Sequence, residues 1–510
     1  MTDPTVETTS GRVRGQTRHG VYSFKGIPFA APPTGRRRWT APQPVEPWSG
    51  TRDALEFGPA APQDTTPLMN VGPTDEDCLS LNVWTTDPSG RKPVMVWIHG
   101  GGFLIGASRQ REYSGARLAV NGDVVVVSIN YRLGAIGFAD LPWLRDRDDY
   151  AANRGLLDQL FALEWVQENI ERFGGDPQNV TIFGESAGGM SVATLLATDA
   201  AGRLFHAAIP QSGATFHTIR RDQADLVAAR FADKLANGAA ITPDLFDNAP
   251  VEQILAAQRR CATVAVSTGP WNLPMRGMNF LPVHGDDLLP DDPQRRIEAG
   301  AAAPVPLLTG TTRDEWALFS VAAKMAPPEQ RGTAMVPGLL DDAQLADYFE
   351  ANVPGHGAAL LAGYRTLYPD AGADELGVML ETDRLFFVPA TRMATACASQ
   401  GRDVQVYRFD WRSPIFGGAA HAIDVPFVFG GVDEPFGKMF TGGGTDAAAL
   451  SAIVQQAWTR FAYDSHAAAE GLPDWLAYDA ATRSTMIFDR EPRLETQPWQ
   501  ERLALWEEVR

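Results

Sequence analysis

The stretch Gly184-Glu185-Ser186-Ala187-Gly188 sets a serine in the pattern G-x-S-x-G, after the apolar run Val180 to Phe183 and before small residues that can open a helix. That spacing suits a nucleophile. The flanking glycines let a strand and a helix approach closely, Ser186 sits on a strained turn with its Oγ exposed, and the helix start beneath it favours developing negative charge. Upstream, "VMVWIHGGGFLIGAS" runs from Val94 to Ser108 and drops its side chains at Gly100, Gly101 and Gly102. Gly100, Gly102 and Gly106 are spaced one residue too long for a dinucleotide fingerprint, and no Gly-Lys-Ser/Thr follows to hold a nucleoside triphosphate. Bare backbone near a nucleophile has another use: several N–H groups can point at the one oxygen that becomes an alkoxide on attack. The amides of Gly101, Gly102 and Ala187 are therefore candidates for an oxyanion hole, weighed against a simple strand-exit turn. Gly106 lies outside that set and is the natural comparison position.

A serine hydroxyl needs a base, and the base needs a carboxylate to hold its tautomer. Where the serine sits on such an elbow, the chain order is serine, acid, histidine. Of the eight histidines, His19 and His99 precede Ser186, and His206 and His217 leave little room for an intervening strand and acid, so His284, His356, His421 and His466 remain. His421 stands in the small-residue loop "FGGAAHAIDVPFVFG" after the strand-like "VQVYRFDW", where an imidazole can turn toward a sheet edge; His284 in "PVHGDD" is the runner-up. The run "VPLLTGTTRDEW" brings Asp314 and Glu315 just beyond a strand, and spacing does not choose between them.

The elements that must position these groups alternate. Short apolar runs at Val94 to Ile98, Val124 to Ile129, Val180 to Phe183, Pro306 to Gly310 and Val404 to Phe409 read as buried strands. Helices fall between them. One is capped by Asn153, carries Leu156, Leu160, Leu163, Ile170 and Phe173, and ends at Gly174 and Gly175. A second starts near Asp222 with Val227, Phe231 and Leu235, and a third carries Leu450, Ile453, Val454, Trp458 and Phe461. This order predicts an α/β fold with a large, mostly parallel sheet covered on both faces. Residues 1–510 read as one catalytic domain, with helical and loop-rich insertions at about 220–300 and 317–385 over the C-terminal edge of the sheet. The Pro-rich segment "GIPFAAPPTGRRRWTAPQPVEPW" contains Phe29, Trp39 and Trp48 and reads as packed rather than as a linker.

The balance of 44 basic and 62 acidic residues gives a net charge of −18, which argues against nucleic acid or an anionic membrane as a partner. The N-terminus shows no signal-peptide pattern, and no apolar run is long enough to span a bilayer. The three cysteines, Cys78, Cys261 and Cys397, are widely spaced with no C-x-x-C pair, so they read as small buried residues of a cytoplasmic protein. No grouping of His, Cys and carboxylate has metal-ligand spacing, and neither a metal nor an organic cofactor is expected.

The landmarks "GIPFAAPP", "EDCLSLNVW", "HGGGF", "INYRLGAIGF", "GESAGG", "QSGA", "TRDE" and "HAIDVPFVFG" resemble the type B carboxylesterases, the cholinesterase-like branch of the α/β-hydrolase superfamily, nearly end to end. The resemblance implies an α/β-hydrolase fold and a serine carboxylesterase acting on small-molecule esters through an acyl-enzyme. It implies Ser186 as nucleophile, Glu315 rather than Asp314 as acid, His421 as base, and Gly101, Gly102 and Ala187 as oxyanion hole. Ser212 and Glu185 would support them. Amide or carbamate hydrolysis and acyl transfer would use the same residues, and a non-catalytic binding role is the remaining alternative. The chain departs from the family in three places. No cysteine precedes Cys78 to pair with it, Trp316 follows the acid where glycine is frequent, and Asp424 stands where glutamate is common. Phe103, Trp271, Trp316, Phe319, Phe386 and Phe387 could line an apolar gorge or pack in the core. An unperturbed imidazole would make activity rise with pH through about 6.5.

Overall fold

The computed structural model describes residues 3–64, 71–262, 264–271, 273–301, 303–327, 331 and 340–509. The apolar runs form the middle of an eleven-stranded sheet. From one edge its strands are Arg493–Glu495, Thr485–Phe488, Val404–Phe409, Leu307–Thr312, Ala207–Gln211, Gly175–Glu185, Lys92–Ile98, Val125–Ile129, Ser80–Thr85, Val21–Pro28 and Gln16–Arg18. The seven strands from Thr485–Phe488 to Val125–Ile129 are parallel, and antiparallel strands finish both edges. Parallel strands need crossovers, which the intervening helices supply.

Side-chain alternation divides the core between the two faces of the sheet. Val94, Val96, Ile98, Val125, Val127, Val180 and Ile182 join one buried cluster, whereas Met95, Trp97, Val126, Phe183 and Ile209 join the other. Because both faces are covered, the central strands are apolar at nearly every position rather than at every second one.

The helix expected after Asn153 spans Arg154–Asn169, and a 3-10 turn over Ile170–Phe173 leads to Gly174 at φ 82°. Asn153 makes no side-chain cap. It adopts a left-handed φ of 51°, its Nδ2 donates to the Val283 carbonyl at 2.7 Å and to Asp286 Oδ2 at 2.8 Å, and its Oδ1 accepts from the Val283 amide at 2.7 Å. The residue thus ties the helix start to a distant segment, which no local rule foresees.

The stretch 220–300 holds the helices Arg221–Ala236, Pro243–Asn248, Val251–Arg259 and Pro293–Glu298. It also contributes to a small four-stranded sheet of Leu273–Arg276, Ala265–Thr268, Ile219–Arg220 and Val283–His284, which the sequence pattern did not reveal because its strands are only two to four residues long. In 317–385 lie the helices Ala317–Met325, Asp342–Asn352, Gly357–Leu367 and Ala373–Thr382; residues 328–330 and 332–339 of that stretch fall outside the described set. A third cluster, including Leu345, Phe349, Tyr364, Leu380 and Trp506, packs these helices against the C-terminal segment. Trp39 and Phe29 are buried in the main core, as expected of a packed N-terminal segment. No helix among the described residues is long and apolar enough to cross a membrane.

Candidate active site

The turn after Gly175–Glu185 brings Ser186 to φ 57°, ψ −125°, a conformation a β-carbon resists, and the helix Ala187–Leu195 starts immediately beyond it. The two motif glycines explain how so sharp a turn fits. A Cβ on Gly188 would stand 2.0 Å from the Ile98 carbonyl oxygen, and one on Gly184 would stand 2.6 Å from that same oxygen and 2.6 Å from Gly188 C. Strand Lys92–Ile98, the elbow strand and the helix therefore meet backbone to backbone. Ser186 remains half-buried at this crossing.

The glycine run leaves strand Lys92–Ile98 beside the elbow. Gly100 packs on it, since a Cβ there would lie 2.6 Å from the Glu185 carbonyl oxygen and 3.0 Å from Ser186 Cβ. Gly101 and Gly102 have φ of 113° and 62°. The Gly101 carbonyl accepts from the amides of Leu104 and Ile105, both at 3.1 Å, closing a tight turn. Among the described residues, the amides of Gly101, Gly102 and Ala187 have no protein acceptor. Gly106 is not the neutral position its place in the sequence suggests. It has φ 112°, and a Cβ there would meet the Gly100 carbonyl oxygen at 2.4 Å and His99 Nδ1 at 2.5 Å. Its carbonyl accepts from Gln63 Nε2 and its amide donates to Gln63 Oε1, both at 2.8 Å. His99 is buried, stacks on Tyr131 and keeps Nδ1 2.9 Å from the Gly100 carbonyl oxygen. Burial lowers its pKa to about 4, so it stays neutral.

His421 lies with Nδ1 2.6 Å from Glu315 Oε2. The other carboxylate oxygen, Oε1, accepts from the Thr312 amide at 2.7 Å, which fixes its rotamer at the end of the strand. Asp314, indistinguishable from Glu315 by spacing, points elsewhere. Its Oδ2 accepts from the Ala419 amide at 2.9 Å and pairs with Arg313, and its own amide donates to the Ala419 carbonyl at 2.9 Å. Asp314 thus pins the loop that carries His421, and Glu315 meets the ring. His284 is not at this site: it sits in the small sheet, with Nδ1 3.1 Å from Thr218 Oγ1.

The free edge of the ring, Nε2, lies 3.1 Å from Glu185 Oε1, but the two are not aligned for a hydrogen bond and neither atom has another partner among the described residues. Burial would lower the imidazole pKa, yet the carboxylates of Glu185 and Glu315, with Asp424 behind them, outweigh it and raise it to about 9. Burial also raises the Glu185 pKa to about 8, against the pull of His421. Asp424, whose position in the sequence pointed only to a family difference, is fully buried. Its Oδ2 accepts from Gln211 Nε2 at 2.8 Å and from the Tyr407 hydroxyl at 3.1 Å, and burial raises its pKa to about 6. Gln211 opens the QSGA landmark and Tyr407 belongs to none; the sheet lines the two up through Gly310 on the strand between them. Ser212 adopts φ 47° with its amide donating to the Gly310 carbonyl at 2.9 Å, and its buried hydroxyl has no partner among the described residues.

The aromatic candidates divide. Phe319 and Phe386 pack on the His421 ring at centroid distances of 5.4 and 4.9 Å, and Trp316 packs on Phe319 at 4.4 Å. The other three lie against core or C-terminal aromatic rings: Phe103 on Phe138, Trp271 on Phe216 and Trp506, and Phe387 on Trp499. Among the described residues no group of His, Cys, Asp and Glu could hold a metal ion, and Cys78, Cys261 and Cys397 are buried free thiols.

Comparison with known proteins converges on one family. The model described as "Carboxylesterase family" matches residues 2–506. The para-nitrobenzyl esterase of Bacillus subtilis is 39% identical over 98% of both chains, and the phenmedipham hydrolase of Pseudarthrobacter oxydans is 34% identical over 96% of both. Among solved structures, a thermophilic para-nitrobenzyl esterase superposes with a TM-score of 0.84 at 37% identity, over 99% of this chain and 100% of that one. A Geobacillus stearothermophilus carboxylesterase, EST55, gives 0.86 at 34% identity over the same shares.

Proposed function

Since the chain belongs to the carboxylesterase family, with an α/β-hydrolase fold, and is a carboxylic ester hydrolase, we propose that it works through a Ser186–His421–Glu315 triad and an acyl-enzyme, with the amides of Gly101, Gly102 and Ala187 as oxyanion hole. The observation that carries this reading is the asymmetry of the His421 ring. Its Nδ1 is held by Glu315, while Nε2, beside the residue that precedes Ser186, has no hydrogen-bond partner among the described residues. A ring fixed at one nitrogen and open at the other is what a general base requires.

In the first step Ser186 Oγ attacks the ester carbonyl as its proton passes to His421 Nε2, and Glu315 stabilises the resulting imidazolium through Nδ1–H. The tetrahedral oxyanion is met by amides that have no other acceptor among the described residues and need no reorganisation. Collapse breaks the bond to the alcohol oxygen, which takes the proton from Nε2. Water then attacks the acyl-enzyme, losing its proton to Nε2, and the proton returns to Ser186 Oγ as the acid leaves. The whole chain acts as one catalytic unit with its insertions, on small-molecule esters, and its buried free thiols suit a cytoplasmic setting.

Ser186→Ala tests the proposal. It should lower kcat on the order of 10³ to 10⁶ with the thermal midpoint kept, and a phosphonate should label the peptide bearing Ser186 in the parent protein alone. Labelling at another residue, or full turnover by the purified variant, would sink it. Supplying an ester, an amide and an alcohol acceptor together, with product analysis, separates hydrolysis from amide cleavage and acyl transfer.

A further inference from the structure

Residues 373–399 form a nearly continuous helix, Ala373–Thr382 and Val388–Ser399, interrupted by a π turn at Asp383–Phe387 in which the Val388 amide reaches back to the Asp383 carbonyl. A π turn inserts one residue into the helical register, so everything on it is rotated relative to an ordinary helix, and such turns gather at functional sites. This one carries Phe386, the ring 4.9 Å from the His421 imidazole.

The turn is fastened by the far end of the chain. Asp383, fully buried, accepts from Arg502 Nε at 2.6 Å and from the Tyr364 hydroxyl, both on Oδ2. Arg502 also donates to the Met379 carbonyl at 3.1 Å, one turn earlier. Trp506 Nε1 donates to the Tyr364 hydroxyl at 2.9 Å, and Arg392 holds the carbonyls of Trp506 and Val509 at 2.8 and 2.9 Å. Trp499 meets Phe387, the last residue of the turn, edge-on at 5.0 Å. A buried ion pair adds little stability over apolar packing, but its directional bonds can select one register from several. An ordinary α register over the same residues would rotate Phe386 about the helix axis, away from the direction it takes here.

We propose that the buried Arg502–Asp383–Tyr364 cluster locks the π register, thereby holding Phe386 against His421, and that the C-terminal segment so sets the size of ester group admitted beside the imidazole. Arg502 and Asp383 are positioning residues; Phe386 is the specificity-determining wall they hold. The inference rests on the reading of Ser186 and His421 as nucleophile and base.

Replacing both charges together, Asp383→Leu with Arg502→Met, leaves no orphaned ion. The measured quantity is the ratio of kcat/KM for p-nitrophenyl octanoate to that for the acetate, alongside the rate at which a small phosphonate labels Ser186. The ratio should rise by about tenfold, mainly through a lower KM for the octanoate, while labelling stays within about twofold of the parent. Phe386→Ala should raise the ratio similarly, and adding the paired substitution to it should change the ratio by no more than about twofold, since both act on one element. A folded paired variant with the parental ratio, or effects that multiply in the triple variant, overturns the proposal. Should the paired variant fail to fold, Trp499→Ala decides: at this half-buried contact the ratio should rise by about threefold, and a parental ratio overturns it. Loss of phosphonate labelling at Ser186 in the parent protein would instead count against the triad, which keeps the two failures apart.

Discussion

Glu185 Oε1 stands 3.1 Å from Nε2 of His421, on the edge of the ring opposite Glu315, so the imidazole lies between two buried carboxylates. Burial lowers its pKa, but these carboxylates raise it further than burial lowers it, to about 9. Only the neutral ring can take a proton from serine. The rise of kcat/KM with pH should therefore come above the value of about 6.5 expected of an unperturbed imidazole. Glu185→Gln keeps the shape of the side chain and removes the largest of the raising charges, so the midpoint should move down. A pH profile of kcat/KM for both proteins checks this; a midpoint common to both, or a parental rise near 6.5, would show that Glu185 exerts no pull on the ring.

Asp314 and Glu315 are neighbours in sequence with separate attachments. Glu315→Gln should cost on the order of 10⁴ in kcat, because an amide next to Nδ1 no longer fixes the tautomer, with little change in fold. Asp314→Asn weakens the tie to Ala419 and should lower kcat by no more than about tenfold and the thermal midpoint by a few degrees, the signature of a loosened loop. Steady-state kinetics and thermal unfolding of the pair separate the roles, and equal losses in kcat would contradict the assignment.

The two glycines of the candidate hole are not equivalent tests. A Cβ on Gly101 would lie 2.1 Å from the Ile105 carbonyl oxygen, so Gly101→Ala disturbs the turn whatever its amide does. At Gly102 the nearest atoms among the described residues are those of Met278 at 3.9 Å, and the obstacle is the positive φ of 62°. Gly102→Ala should fold, with a strain cost of roughly 1–2 kcal/mol, and lose about 10² to 10³ in kcat with KM nearly unchanged. Gly372, at φ −75° with open space around it, is the suitable control. An unaltered kcat in folded Gly102→Ala would leave the glycine run as a turn and nothing more.

Arg132 and Asp158 form a buried pair, with Nε and the backbone amide of Arg132 donating to Oδ2 at 2.8 and 2.9 Å and Nη2 to Oδ1 at 2.6 Å. Asp158→Ala leaves the guanidinium without its carboxylate and should cost about 3–5 kcal/mol of stability. Denaturant unfolding monitored by tryptophan fluorescence measures it, and activity per folded molecule at low temperature should persist if the pair is purely architectural.

Much of this molecule was legible in contiguous sequence. The strand runs are apolar throughout because both faces of the central sheet are covered, and the elbow around Ser186 is readable because five consecutive residue types mark it, even though the contact that demands glycine at 184 and 188 includes the Ile98 carbonyl of a neighbouring strand. The glycine run at 100–102 is readable as a contiguous pattern too, although Gly101 answers to Ile105 in its own turn and Gly100 to Glu185 and Ser186 of the elbow. What the chain could not show locally is anything set by residues distant in sequence that meet in space. Glu315 rather than Asp314 faces His421 because side chains alternate beyond the end of a strand and the Thr312 amide turns one of them inward. Asn153 serves a partner 130 residues away instead of its own helix. The imidazole's pKa depends on Glu185 and Asp424, which approach it from different elements, and the place of Phe386 depends on a π turn tied to Arg502, 119 residues beyond Asp383. Motifs encode geometry over one or two turns of chain; electrostatic fields and packing registers are summed over whatever the fold brings near, so they exist only once the chain has folded.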